Sequence, residues 1–416
     1  MAAQKSSTGM VGTGRNHPPI FDKCYGFTEA EEARKSGVYP FFRPIEEARG
    51  AKVIIEGREL IMAGSNNYLG LAGDPRMRER AMEAIRKYGT SCSGSRFMNG
   101  TLALHEELEE RLAAFCGKES ALCFTTGYQT NLGAISALVG RDEHVISDKY
   151  NHASIMDGIF LSTGFNRTVP VHRFKHNNMA DLEQKLKAIP LEAPKLIVTD
   201  GVFSMEGDIV KLPEMKALAE KYGAALYLDE AHALGVLGKT GRGTTEHYGD
   251  PALADLIMCT FSKSFGSIGG FIAGDHTVVD YIKHFARPLI FSASMPPANI
   301  AAVMTALEII EREPERVARL QQIADKMLKG FKSMGFDIGT AETPIVPLLI
   351  GDNEKTFLFW KRLFERGVYV NPVIPPAVPP NRSLIRTSYM AIHTDEELDT
   401  ILSIAGEEAR KLGIIP

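Results

Sequence analysis

Cysteine is sparse in this 416-residue chain: Cys24, Cys92, Cys116, Cys123 and Cys259 form no CxxC pair and no metal-ligand spacing. An odd, scattered set argues against a disulfide framework or a zinc cluster and fits reduced thiols in the cytoplasm. Long apolar runs are lacking too. No stretch approaches the ~18–20 residues that cross a bilayer, so no integral membrane segment is expected. The opening "MAAQKSSTGMVGTGRNHPP" has no apolar core of the kind a secretory signal needs, and reads as a flexible tail. Charge of one sign is not in excess either: a formal net charge of −4 gives no basic surface for nucleic acid or an anionic membrane. What is left is an ordinary globular composition, 44% hydrophobic and 24% charged. The chain is long enough for more than one core, since single cores stop growing near ~250–300 residues.

Beyond the tail, neither a repeat nor a low-complexity block interrupts the sequence. "ALHEELEERLAAFCG" sets Leu104, Leu108, Leu112 and Phe115 on one face with acidic residues opposite, which predicts an amphipathic helix. "SALCFTTGY" reads as a short strand ending in a glycine turn, and "QTNLGAISALVG" resumes helical spacing. "EHVISD", "KLIVTDGVF", "AALYLDEAH" and "DLIMCTFS" are short apolar runs that each end in polar residues, with helical segments such as "MADLEQKLKAI" and "LPEMKALAEKYG" between them. Alternation of this kind predicts an α/β fold: a mostly parallel central sheet with helices on both faces, and ligands beyond the carboxyl ends of its strands. After about residue 290 long helices give way to short strands around the proline-rich "GVYVNPVIPPAVPP". The expected division is a tail and N-terminal arm with a helix over 1–55, a large α/β domain over 56–294 and a smaller C-terminal α+β domain over 295–416.

Two motifs mislead by their letters. "DEAH" (Asp229 to His232) matches a helicase box and "ALGVLGKT" (Ala233 to Thr240) a relaxed phosphate loop. A nucleotide site needs its loop between a strand and a helix and its metal-binding acid on another strand. Here both lie in one short stretch in reverse order, which argues against an ATP-driven motor. Asp229 itself ends the apolar run "AALYL". It is either a structural acid, capping a helix or salt-bridged, or a carboxylate held for a cationic ring nitrogen. Lys263 follows one strand later in "TFSKSFGSIGG". Together the two supply what pyridoxal phosphate needs: an amine for a Schiff base with its aldehyde, and an acid that keeps its pyridine nitrogen protonated. "TTGYQTN" opens a helix whose amides and positive end favour a phosphate, and Thr260 and Ser262 add hydroxyls. Tyr128 and His152 are either packed aromatics or brackets for a flat ring. Arg386, inside the strand-like "LIRTS", needs an anion if buried: an internal carboxylate or a substrate's.

In series, "TGYQTN", "DKYNHASIMDG", "DGVFSMEGD", "LDEAHALGVLGKTGRG", "TFSKSFGSIGGFIAG" and "IRTS" resemble the α-oxoamine synthases, fold type I pyridoxal-phosphate enzymes that join an amino acid to an acyl-CoA with decarboxylation. Cys259 stands where that family's lysine motif begins with glycine. "GVYPFFRPI", "GTSCSGSRFMNGT", "RPLIFSASMPP" and "YVNPVIPPAVPP" are most similar to its bacterial serine palmitoyltransferase branch. The resemblance implies that Lys263 binds the aldehyde and moves the α-proton, Asp229 pairs with the pyridine nitrogen and His152 stacks on the ring. It further implies that His232 bonds the ring hydroxyl, that Ser204 lines the pocket, and that Gly127, Tyr128, Thr260 and Ser262 surround the phosphate. Ser292 or Ser294 would reach the phosphate of a second subunit, Asn67 would contact substrate from the partner side, and Arg386 would take the amino-acid carboxylate. A homodimer with shared active sites follows, with L-serine and palmitoyl-CoA as substrates and 3-ketodihydrosphingosine as product. The alternative within the family is a sister activity, 8-amino-7-oxononanoate synthase or 2-amino-3-ketobutyrate CoA ligase, taking alanine or glycine with a shorter acyl-CoA.

Overall fold

The computed structural model describes residues 17–163 and 169–416, so the tail read from the sequence lies, up to residue 16, outside it. The chain forms two compact units, one ending at Phe42 and one running from Arg43 to Pro416. In the first, the helix expected in the N-terminal arm forms over Glu29–Lys35, with Glu29, Glu31 and Glu32 in its first turn and Arg34 and Lys35 in its last. That charge order complements the helix dipole.

The second unit opens with an antiparallel meander, β1 (Glu47–Arg49), β2 (Lys52–Ile55) and β3 (Arg58–Met62). The predicted sheet follows: β4 (Ser120–Phe124), β5 (His144–Asp148), β6 (Val171–Phe174), β7 (Lys195–Asp200), β8 (Ala225–Asp229), β9 (Leu256–Thr260) and β10 (Gly270–Gly274). Its seven strands lie in the order β4-β10-β9-β8-β7-β5-β6, and β10 alone runs antiparallel to its neighbours. Strands β7 and β9 are buried at every position, as a sheet covered on both faces requires. Side chains alternate between the two covers. Leu226, Leu228, Ile257 and Phe271 enter one core with Leu108, Leu112 and Phe115, while Tyr227, Met258 and Ile272 enter another with Ile135 and Ile155.

The amphipathic helix forms over Ala103–Cys116, with one departure from the expected pattern. Glu109 is buried rather than facing solvent: it pairs with Arg96 (2.6 Å) and accepts from the β4 amide of Cys123 (2.7 Å). An acid can face the core when its lone pairs are all taken up.

Past residue 290, helices Pro297–Arg312 and Glu315–Ser333 lead into β11 (Ile345–Gly351), β12 (Val368–Tyr369), β13 (Asn371–Val373) and β14 (Ser383–Ser388). Strands β11, β14 and β13 form an antiparallel sheet, and β12 lies parallel to β3. Val53 and Leu60 of the meander join Phe331, Trp360, Ile385 and Leu398 in a third core. No described helix is long and apolar enough to cross a membrane.

Candidate active site

Asp200, Asp229 and Thr260 are the last residues of β7, β8 and β9, and beyond them opens a cavity of about 330 Å³. Lys263 stands in the loop after β9, which closes on itself through Phe261 N donating to Gly269 O (2.9 Å) and Gly266 N to Lys263 O (2.9 Å). Gly269 adopts φ +125°, and a Cβ there would lie 2.2 Å from Met295 Sδ, so the tight return into β10 admits no side chain. Burial lowers the Lys263 amine to about 8, against the upward pull of Asp229 and Asp200. Among the described residues, its Nζ makes neither a hydrogen bond nor an ion pair.

Asp229 has no cationic partner within salt-bridge distance among the described residues; its bonds come from neutral donors. Ala231 N donates to Oδ1 (3.0 Å) and Asn131 Nδ2 to Oδ2 (2.7 Å). His152, the N-cap of helix Ala153–Ser162, donates its backbone N–H to Asp200 Oδ2 (3.1 Å), and its Nδ1 lies 2.7 Å from Ser154 Oγ. Burial lowers the His152 pKa, with Asp229 opposing. Asp200 is fully enclosed, and burial together with the Asp229 charge holds its carboxyl well above the usual range.

At the other end of the cavity, Thr126 caps helix Gly127–Leu138 by accepting from Gln129 N (3.1 Å). Thr260 Oγ1 lies 2.9 Å from Ser262 Oγ. A Cβ on Gly127 would come within 2.5 Å of Thr260 Oγ1, so only glycine leaves the helix end and the hydroxyls this close. An anion-binding helix terminus, a carboxylate without a cation and an unpartnered amine thus share one cavity. That donor set fits pyridoxal phosphate, with its phosphate, its pyridinium and its aldehyde.

Of the residues singled out from the sequence, Gly127, Tyr128, His152, Ser204, Asp229, His232, Thr260, Ser262 and Lys263 line this cavity; Asn67, Ser292, Ser294 and Arg386 do not. His232 Nδ1 lies 2.7 Å from Tyr68 Oη, and burial holds the imidazole well below its usual pKa. Arg386 is 5% exposed and has no internal carboxylate partner among the described residues. Its guanidinium donates to Ser204 O (2.6 Å), Asn66 Oδ1 (3.1 Å), Ser388 Oγ and Tyr68 Oη (both 3.4 Å). All four acceptors are neutral, so its charge is uncompensated beside the cavity. Asn67 Oδ1 accepts from Ala72 N (3.2 Å). Ser292 Oγ accepts from Gln129 Nε2 (3.0 Å), and Ser294 Oγ donates to Gly94 O (3.0 Å). Sequence reasoning missed Asn131, Ser154, Asp200, Asn66 and Tyr68. A polar residue at a core position of the helical or strand pattern was the available signal.

The aminotransferase class I and II family model matches residues 58–404. A serine palmitoyltransferase of Sphingobacterium spiritivorum is 51% identical over 380 residues, 91% of this chain and 94% of its own length. An 8-amino-7-oxononanoate synthase of Thermoanaerobacter pseudethanolicus is 42% identical over 397 residues, 95% of this chain and 99% of its own. A solved serine palmitoyltransferase of Sphingomonas wittichii is similar with a TM-score of 0.90 at 36% identity, over 96% of this chain and 99% of that one. A serine palmitoyltransferase solved with its PLP internal aldimine also gives 0.90, at 38% identity over 95% and 99% of the two chains.

Proposed function

This chain belongs to the aminotransferase class I and II family, and on that premise we propose that it condenses L-serine with palmitoyl-CoA, releasing CoA and carbon dioxide to give 3-ketodihydrosphingosine. Its fold is that of the fold type I pyridoxal-phosphate transferases and its cofactor is pyridoxal phosphate. The observation that carries the reading is the cavity in which an unpartnered Lys263 amine shares space with Asp229, in a chain half identical to serine palmitoyltransferases over nine-tenths of its length. When bound, the cofactor supplies an aldehyde for amines and an electron-accepting pyridinium.

The chain's own residues do the rest. Lys263 would hold the cofactor's aldehyde carbon, and as a free amine it is the base placed to take the α-proton of a bound amino acid. Asp229, a carboxylate bonded only by neutral donors, would hold the ring nitrogen's proton. His152 would cover the ring, His232 would bond its hydroxyl and Ser204 would line the same pocket. Gly127, Tyr128, Thr260 and Ser262 would surround the phosphate. Arg386 takes the serine carboxylate in a forked pair, giving its buried charge the anion it lacks.

The working unit is a homodimer with shared active sites, in the cytoplasm. Ser294 is tied to the 91–100 loop through Gly94 O, and these segments expose Met98 (76%) and Phe291 (72%), apolar surface that a second copy would cover. Ser292 or Ser294 would then reach the partner's phosphate and Asn67 its substrate.

CoA release tests the choice of substrates. Serine with palmitoyl-CoA should turn over, and the purified protein should be yellow, with both properties lost in Lys263→Ala. A sister synthase also has support, in the 42% identity to an 8-amino-7-oxononanoate synthase. Turnover only of alanine or glycine with a short acyl-CoA would establish that activity instead.

A further inference from the structure

One buried amide touches Asp229 directly and reaches His152 through Ser154. Asn131 is 1% exposed and lies one turn into the helix that begins at Gly127. Its Nδ2 donates to Asp229 Oδ2 (2.7 Å) and to Ser154 Oγ (2.9 Å). Its Oδ1 accepts from Tyr227 Oη (2.8 Å). Tyr227 sits on β8 two residues before Asp229, so the two side chains leave the strand on the same face. Burial, with Asp229 adding, keeps that phenol well above its usual pKa; it remains a donor, and a donor there fixes which end of the amide faces Asp229.

The consequences run in two directions. Asp229 Oδ2 receives an N–H from Asn131 while Oδ1 receives one from Ala231, so both carboxyl oxygens are held in place by donors. Ser154 Oγ, having accepted from Asn131, turns its own hydrogen to His152 Nδ1, which also receives Ser154 N (3.3 Å). The backbone N–H of Ser154 can only donate, so Nδ1 is an acceptor, the Ser154 hydroxyl donates to it, and the imidazole carries its proton on Nε2.

We propose that Asn131 is a positioning residue for the cofactor ring: locked by Tyr227, it holds the Asp229 carboxyl aimed at the ring nitrogen's position, and through Ser154 it sets the tautomer of His152. The same helix carries the phosphate end at Gly127, so one rigid element spaces both ends of the cofactor. This inference rests on the pyridoxal-phosphate reading above.

The test measures binding, not only turnover. Apoprotein is titrated with pyridoxal phosphate to give a dissociation constant, and the bound cofactor's absorbance is titrated against pH. Asn131→Ala should weaken binding at least about tenfold, the loss of a hydrogen bond to a charged group, and move the spectral midpoint. Asn131→Asp keeps the shape but puts a carboxylate against Asp229, and should bind more weakly still. Tyr227→Phe removes one oxygen, frees the amide and should give a severalfold loss in the same direction. Variants with wild-type circular dichroism that bind within twofold of wild type, at an unmoved midpoint, overturn the proposal. If the Asn131 variants do not fold, Tyr227→Phe decides by the same criterion. Wild-type protein that binds no pyridoxal phosphate would overturn the cofactor reading beneath it, a distinguishable failure.

Discussion

Lys263 has its amine depressed from the usual lysine value to about 8, chiefly by burial. Only the neutral amine attacks an aldehyde, so capture of pyridoxal phosphate by the apoprotein should accelerate about tenfold per pH unit below 8 and level off above it. Stopped-flow absorbance against pH checks this; a free lysine would keep accelerating to about pH 10. The linked effect on stability has the same origin. Between pH 8 and 10.5 the unfolded chain binds more protons at this position than the folded one, so the apoprotein gains stability as pH rises through that window. Arg386 offers a second residue-scale outcome. Arg386→Lys keeps the charge but loses the planar fork, and the serine KM should rise about ten- to a hundredfold while the palmitoyl-CoA KM holds. Steady-state kinetics with each substrate varied in turn separates the two.

At the scale of elements, the critical junction is the start of helix Gly127–Leu138 against the end of β9. Gly127→Ala would drive a methyl to 2.5 Å from Thr260 Oγ1. It should cost about 1–3 kcal/mol of stability and weaken cofactor binding together, measured by chemical denaturation of the apoprotein and by titration. The strands that frame this junction were legible in the sequence because each is a short apolar run stopped by a polar residue. "KLIVTD", "ALYLD" and "LIMCT" became β7, β8 and β9 with Asp200, Asp229 and Thr260 at their carboxyl ends. Lys263 and Asp229 stood out because a charge at the end of a buried strand breaks the pattern. The reversal of β10 was not legible: "GFIAG" looks the same in either direction, and strand order depends on pairings far apart in sequence. Asn131 and Tyr227 were hidden for another reason. Each occupies a position whose periodicity says core, and only the three-dimensional neighbours show that polar atoms meet there. Glu109 sits on the buried face of its helix because Arg96 and the Cys123 amide satisfy it, a fact that spacing alone does not carry.

At the scale of the whole molecule, a dimer with shared sites predicts complementation. A chain bearing Lys263→Ala supplies intact Ser292 and Ser294, and a chain bearing Ser292→Ala with Ser294→Ala supplies intact Lys263. Unfolded and refolded together, such chains should regain about a quarter of wild-type activity, since half of random dimers hold one complete site of two. If mixing adds nothing to the residual activity of the separate chains, the sites are not shared.

The reversed strand β10 also sets a timetable. Phe124 of β4 pairs with Gly270, and Ser120 with Gly274, so β4 has no sheet neighbour until residue 274 has been synthesised. At cellular elongation rates of ~5–20 residues per second, β4 and the helix behind it wait on the order of ten seconds on the ribosome. During that interval the helix end at Gly127 has no Thr260 to face. The order of translation therefore makes cofactor loading a late event, following delivery of β9, Lys263 and β10 by the nascent chain, and leaves both edges of β4 open until then, one of which remains a sheet edge in the folded chain.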